Sequence, residues 1–263
     1  MTKPAPSPRT VLAIGGWDPT GGAGIVADAR TIHACGGYAL TALTGLAVQT
    51  PHKVLQVDPV APELLAQTLR QAISPLPVHA LKTGMLGNAA LAEMVFEYIR
   101  PLYIPWVFDP VSRATDGTTL GEGPLASAFP RKGFSVITPN LPELKELTGE
   151  PDLQAALDVL FERGFDAVLL KGGHGGHGGD GGGAEVEDWL FVHEGQPVRH
   201  VRPRLAGTLH GSGCVLASAL AASLAKGLPI SAAFARAEHF MDSVWMTSWD
   251  VGNGVRLSIL PSV

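Results

Sequence analysis

Apolar residues recur along this chain with two different periods, and segments of the two kinds alternate. Val11–Gly16 is a short apolar run closed by glycines, the pattern of a buried strand. Gly24–Cys35 then places Ile25, Ala29 and Ile32 at helical spacing, with Asp28 and Arg30 on other faces. Tyr38–Val48 reads as a strand, and the apolar/polar alternation of Val54–Val60 predicts an exposed or edge strand. Pro62–Ile73 and Ala89–Ile99 carry the helical period on either side of a strand at Ala80–Met85. Val107–Val111 and Ser135–Thr138 are short and β-branched, Leu141–Leu147 and Asp152–Arg163 are helical, and Ala167–Leu170 and Glu187–Val192 return to strand. The Ala/Leu/Ser-rich run Val215–Ala222 predicts one more helix.

Strands alternating with helices of this length predict an α/β fold whose parallel sheet is covered on both faces. No low-complexity linker splits the middle of the chain, so residues 11–263 read as one domain behind a proline-rich, polar and disordered segment, residues 1–10. Gly15-Gly16, Gly84, Asp109, Asn140 and Gly172 all fall where a strand gives way to a loop. Open α/β sheets bind ligands at those carboxyl ends, so the chemistry is expected to converge on one sheet edge.

Composition narrows the partners. Of 263 residues 46% are apolar, enough for one large core, yet no uninterrupted apolar stretch has the length of a membrane span. The N-terminus lacks an apolar signal core, which makes a cytoplasmic location the expectation. A net charge of -5 without a Lys/Arg cluster argues against nucleic acid as the main partner. Two cysteines, Cys35 and Cys214, cannot build a disulfide framework, and Cys35 reads as a small buried hydrophobe.

The segment Gly211-Ser212-Gly213-Cys214 runs straight into the last of these helices. Unpaired N–H groups and the positive end of a helix dipole would then meet in a tight turn, which is an anion site. The same field is expected to lower the Cys214 thiol pKa. The alternative is a helix cap with a buried small residue. Gly21-Gly22-Ala23-Gly24 also precedes a helix, but no phosphate-loop lysine follows, and close strand–helix packing explains these glycines equally well. Gln49 closes a strand and offers one acceptor and two donors to a ligand edge, or is simply solvated. Asn140 and Glu143 form an N-x-x-E pattern suited to holding Mg²⁺ through water, or to stabilising a helix start. Lys171 ends a buried strand, where a point charge suits phosphates. Asp109 is a second candidate for organising Mg²⁺. Gly172–Gly183 contains His174, His177 and Asp180, but glycines this dense pre-organise no metal site and predict a mobile loop.

Trp17-Asp18-Pro19-Thr20-Gly21-Gly22-Ala23-Gly24, Lys82-Thr83-Gly84-Met85-Leu86, Asp109-Pro110-Val111, Thr138-Pro139-Asn140-Leu141-Pro142-Glu143, Lys171-Gly172-Gly173-His174 and the Gly-Ser-Gly-Cys motif occur in that order. Together they resemble the hydroxymethylpyrimidine and phosphomethylpyrimidine kinases of thiamine biosynthesis, within the ribokinase-like superfamily, from about Val11 to the C-terminal region. The resemblance implies a three-layer α/β/α fold with a mostly parallel central sheet, working as a homodimer that uses ATP and Mg²⁺. It places Gly16, Ala23, Asp28, Gln49, Met85 and Val111 beside the pyrimidine, and Asn140, Lys171, Gly172 and Gly173 at the nucleotide. It gives Glu143 and Asp109 to the metal, and Gly211, Ser212, Gly213 and Cys214 to catalysis. Transition-state charge would fall mainly on the amides, with Cys214 sharing the work as proton acceptor.

Some positions depart from the family pattern. Trp17 stands where relatives carry Ser or Thr, and Ser112–Thr118 lacks the usual lysine while offering Arg113 and Thr115. Gly207-Thr208-Leu209 replaces a frequent Lys-Asn-Thr. Arg113 matches a phosphate fork, so a kinase specific for the monophosphate is the first alternative. Pyridoxal kinase follows, and then a non-catalytic pyrimidine- or nucleotide-binding descendant.

Overall fold

The computed structural model describes residues 7–73, 76–111, 118, 134–172 and 184–260. The first half of the chain runs β1 (Arg9–Trp17), α1 (Gly24–Ala34), β2 (Gly37–Gln49), β3 (Val54–Pro59), α2 (Pro62–Ile73), β4 (Ala80–Thr83), α3 (Ala89–Ile99) and β5 (Trp106–Phe108). Next come β6 (Ser135–Ile137), α4 (Leu141–Thr148), α5 (Leu153–Glu162), β7 (Ala167–Leu170), β8 (Glu185–Val192) and β9 (Val198–Pro203). The chain closes with β10 (Thr208–Leu209), α6 (Ser212–Ala225), α7 (Ile230–Met246), β11 (Ser248–Asp250) and β12 (Val255–Ser258).

One sheet of nine strands has the order β3-β2-β1-β4-β5-β6-β7-β8-β9, and a small sheet has the order β10-β12-β11. The six strands from β2 to β7 in that order pair parallel, whereas β3, β8 and β9 join antiparallel at the two margins. The alternation of Val54–Val60 thus belongs to an edge strand, as expected.

Alternate strand residues feed two cores, because successive side chains point to opposite faces. Val11, Ala13, Val107, Val136 and Leu169 pack under α1, α6 and α7. Leu12, Ile14, Phe108, Ile137 and Val168 pack under α2, α3, α4 and α5. The result is three layers, α/β/α. From Val215 to Ala225 every residue of α6 is buried, which explains a sequence that is small and apolar all round.

Several boundaries differ from the sequence reading. β1 begins at Arg9, and Arg9 and Thr10 pair with Gly37 and Tyr38, so the segment expected to be disordered up to residue 10 already carries strand at its end. β4 stops at Thr83 and β5 at Phe108, short of the expected Met85 and Val111. The chain leaves the sheet there while one backbone bond still holds each exit: Gly84 N–H donates to the Ile14 carbonyl and Asp109 N–H to the Thr83 carbonyl. Strands β9 to β12 and helix α7 had no sequence counterpart.

Candidate active site

The exits of the parallel strands form a staircase along one edge of the sheet. After the Gly84 and Asp109 steps, Thr138 N–H donates to the Phe108 carbonyl and Lys171 N–H to the Pro139 carbonyl. These bonds bring Gly84, Asp109, Asn140 and Lys171 onto the same rim, which is the convergence the motif positions implied.

Two glycine segments close over that rim from the other side. Gly24 has φ +60 and Gly211 φ +74, left-handed values that suit glycine. A Cβ on Gly24 would strike the Gly16 carbonyl, and one on Gly211 would strike the Gly22 carbonyl. The early glycine motif therefore packs against the late one. Gly211 caps α6, and Gly211 to Cys214 are the only part of the turn and helix that is not fully buried, so the free amides of the first turn open to the cleft.

Asp18 ties the two segments together. Its Oδ1 accepts from Thr20 N–H at 2.8 Å, and its Oδ2 accepts from Thr20 Oγ1, Ala23 N–H and His210 Nε2, each at 2.8 Å. Burial alone would push the Asp18 carboxyl up, but the bonds from His210 and Thr20, together with the dipole of the Gln49 amide, outweigh it and hold the group well below the usual carboxylate range. His210 is buried, and its Nδ1 has no partner among the described residues.

The charged end of the site is built from Asp109, Lys171 and Glu143. Lys171 Nζ lies 2.8 Å from Asp109 Oδ1 and 3.6 Å from Glu143 Oε2. Thr138 Oγ1 also donates to Asp109 Oδ1, at 3.2 Å, while buried Oδ2 has no partner among the described residues. Burial would raise the Asp109 pKa, yet Lys171 and Lys82 more than offset it and keep the carboxylate ionised. For Lys171 burial works against the charge, and Asp109 and Glu143 reverse the balance. A Cβ on Gly213 would sit 3.2 Å from Lys171 Nζ and 3.5 Å from Asp109 Oδ2, so the first turn of α6 faces this pair directly.

Asn140 and Glu143 serve the helix as well as the cleft. Asn140 Oδ1 accepts from Glu143 N–H and Glu143 Oε2 accepts from Asn140 N–H, both at 2.8 Å, a complete capping box on α4. The helix-start reading of Glu143 is thus observed, and its Oε2 also lies 3.6 Å from Lys171 Nζ.

One expectation needs correction, and one candidate residue is already committed to partners inside the protein. Asp28, placed beside the substrate by resemblance, has no exposed surface. Lys82 Nζ lies 2.8 and 3.0 Å from its two oxygens, and Ser218 Oγ donates to it at 2.8 Å. Ser218 lies one turn below Cys214 on α6, so this buried ion pair underlies the Cys214 face of the helix. The Cys214 thiol, expected to be acidified by the helix, is instead pushed up to about 11: loss of water outweighs the pull of Lys82, and Asp28 and Asp109 add to the rise.

The remaining candidates line up in part. Met85 and Val111 are half-buried on the rim, and Met85 fills the space beside Gly16. Gln49 is half-buried at the end of β2. Gly172 packs on the Glu187 backbone and donates its N–H to Asp188 Oδ1 at 2.6 Å. Gly173, His174, His177, Asp180, Arg113 and Thr115 lie outside the described residues. Trp17 is 39% exposed at the end of β1. Cys35 is buried, as expected.

Sequence reasoning gave no role to Asp18, Lys82, Thr138 or His210. All four belong to quoted motifs or adjoin them, and a lysine inside the apolar run Ala80-Leu81-Lys82-Thr83 was the available signal, since lysine is almost never fully buried unpaired.

The chain is similar to known proteins over most of its length. The family model described as phosphomethylpyrimidine kinase matches residues 18–258. A hydroxymethylpyrimidine/phosphomethylpyrimidine kinase from Synechococcus elongatus is 38% identical over 257 residues, covering 92% of this chain and 94% of that protein. The structure of pyridoxal kinase from Staphylococcus aureus in complex with AMP-PCP and pyridoxal superposes with a TM-score of 0.81 at 25% identity, covering 96% of this chain and 93% of that one. A phosphomethylpyrimidine kinase structure from Clostridium difficile gives a TM-score of 0.70 at 25% identity, covering 89% and 98%.

Proposed function

Because this chain belongs to the phosphomethylpyrimidine kinase family, with the ribokinase-like fold and the phosphotransferase activity of that family, we propose that it phosphorylates 4-amino-5-hydroxymethyl-2-methylpyrimidine and its monophosphate with ATP in thiamine biosynthesis. The observation that carries this reading is the meeting of the α6 N-terminal amides with the Lys171–Asp109 pair at one rim. Phosphoryl transfer needs positioning and charge neutralisation more than covalent chemistry, and that is what this arrangement supplies.

The amides of Ser212, Gly213 and Cys214 stabilise charge on the transferring phosphoryl oxygens. Lys171, held charged by Asp109 and Glu143, neutralises the ATP phosphates. Asn140 keeps its side-chain NH₂ for the nucleotide, since its Oδ1 is committed to the α4 cap. Gln49 pairs with the amino and ring-nitrogen edge of the pyrimidine, between Met85 and Val111. Asp109 Oδ2, unpartnered among the described residues, with Glu143 Oε2 3.6 Å from the same Lys171 Nζ, fits the hard-oxygen preference of Mg²⁺. When bound, the ion neutralises phosphate charge. Cys214 is a neutral thiol near pH 7 and acts in positioning, so the amides carry the larger part of catalysis.

The reading extends to a cytoplasmic homodimer, on resemblance alone. No described helix is long and apolar enough to cross a membrane. Steady-state kinetics on the pyrimidine alcohol, its monophosphate and pyridoxal tests the proposal. Turnover of both pyrimidines above that of pyridoxal is expected, and preferential turnover of pyridoxal would replace it with the other kinase activity of this fold.

A further inference from the structure

The ladder between β7 and β8 ends at the pair Leu170–Trp189, and the next two residues are held in other ways. Lys171 bridges to Asn140 on its other side, and its N–H donates to the Pro139 carbonyl at 2.8 Å. Gly172 is held from β8, but by a side chain: its N–H donates to Asp188 Oδ1 at 2.6 Å. A bond from an amide to a carboxylate is roughly twice as strong as one between neutral groups. A Cβ on Gly172 would strike the Glu187 carbonyl, so the backbone there lies directly on β8. The Lys171 Cα thus sits between two anchored amides, its own and the next. That fixes the root of a side chain whose ammonium lies 2.8 Å from Asp109 Oδ1.

Asp188 is itself held. It is 4% exposed, and Arg202 Nη2 donates to its Oδ2 and to Oε2 of Glu238, a wholly buried residue of α7. Arg202 Nη1 lies 3.7 Å from Asp242 Oδ1 as well. Three carboxylates therefore face one guanidinium, and a buried like charge is costly. Arg202 would keep Glu238 and Asp242 without Asp188, so ion pairing does not explain the third carboxylate. What Asp188 alone supplies is the acceptor for Gly172. We propose that Asp188 is a positioning residue for ATP: it fixes the exit of β7 at Gly172 and so aims the Lys171 ammonium at the phosphates. Arg202 cancels the charge of this anchor, which would otherwise repel a polyphosphate bound one residue away. The inference rests on the reading of Lys171 as the lysine that meets the ATP phosphates, and it deepens that reading by naming what aims it.

The test measures binding of AMP-PCP and of 4-amino-5-hydroxymethyl-2-methylpyrimidine by calorimetry. In Asp188→Ala the Kd for AMP-PCP is expected to rise about tenfold, the lower end for one lost bond to a charged group. The Kd for the pyrimidine is expected to change less than twofold. A rise below threefold for AMP-PCP, or an equal loss for both ligands, overturns the inference. The same change is then made in Lys171→Met/Asp109→Asn, where the lysine is gone and no buried charge is left unpaired by its loss. There Asp188→Ala is expected to add less than a threefold loss, because a residue that acts through Lys171 has nothing left to aim. A larger further loss shows independent action and overturns the inference alone. AMP-PCP affinity equal to wild type in Lys171→Met/Asp109→Asn overturns the reading of Lys171 and the inference with it. A second measurement needs no variant and covers failure of Asp188→Ala to fold. In the ¹⁵N-labelled wild-type protein the Gly172 amide is expected to exchange about 100-fold or more slower than in an unstructured chain, and slower still with AMP-PCP bound. An unprotected amide, or one that AMP-PCP leaves unchanged, overturns the anchor.

Discussion

Gly213→Ala separates the chemistry of the α6 turn from its folding. Gly213 is the second residue of the helix and has helical backbone angles, so alanine there carries no conformational penalty. Helix propensity favours alanine over glycine by up to about 1 kcal/mol. The new methyl would lie 3.2 Å from Lys171 Nζ, the far end of a flexible side chain, and 3.5 Å from Asp109 Oδ2. Lys171 can yield by a few tenths of an ångström, so the fold is expected to keep its stability or gain slightly. At roughly 2–4 °C per kcal/mol for a chain of this size, the melting temperature should rise by at most a few degrees. Activity should fall for two reasons: the methyl occupies the space before the amides, and it displaces the ammonium. Losing one well-placed bond to a charged group costs about 1.5–3 kcal/mol, which at about 1.4 kcal/mol per tenfold is roughly 10- to 150-fold in kcat/KM. A coupled ADP-release assay beside a thermal melt reads both quantities. Full activity would show that no anion sits on this turn, and a melting temperature lowered by many degrees would contradict the packing described. Gly211→Ala is the contrast, since its Cβ would strike the Gly22 backbone at a left-handed φ and the fold itself should suffer.

Lys171→Met should weaken ATP binding and also destabilise the protein by about 3–5 kcal/mol, because Asp109 is left buried without its nearest cation. Adding Asp109→Asn should recover most of the stability and none of the activity, as denaturant titration and kinetics would show. Glu143→Gln retains a good capping-box residue, so the melting temperature should hardly move while the Mg²⁺ concentration for half-maximal rate rises; an unchanged Mg²⁺ requirement removes Glu143 from the metal. In a Cys35→Ala background, alkylation of Cys214 should be slow at pH 8, where about one thiol in a thousand is ionised, and should climb toward pH 11. The folded state then holds a proton that the unfolded thiol releases above about pH 9, so this group's contribution to stability is lost as pH rises from there to about 11. Rapid labelling at neutral pH would restore the acidified thiol.

The parallel sheet and the rim on which its motifs meet were legible in the sequence, because buried strands such as Ala167–Leu170 are continuous apolar runs and several, β1, β4 and β6 among them, lead into a helix with its own period. The glycine turn that opens α6 was legible too, since Gly211 and Gly213 stand before an unmistakable helix former. What stayed hidden depends on contacts between distant segments. Nothing near Asp28 in sequence says that Lys82, 54 residues on, will pair with it at 2.8 Å. The thiol of Cys214 was misjudged for the same reason: the helix dipole is local and visible, whereas desolvation and the carboxylates of Asp28 and Asp109 arrive from other elements. Strands β9 to β12 are short and carry charged residues such as Arg199, Arg202 and Arg256, so no apolar period marks them.

The most direct measurement supplies ATP labelled in its γ-phosphate and follows the label by mass spectrometry into the pyrimidine. The account expects label on the hydroxymethyl oxygen of the alcohol and then a second phosphate on the monophosphate, with ADP released in step and only when pyrimidine is present. ADP release that ignores the pyrimidine, or label that appears on pyridoxal and not on either pyrimidine, would contradict it.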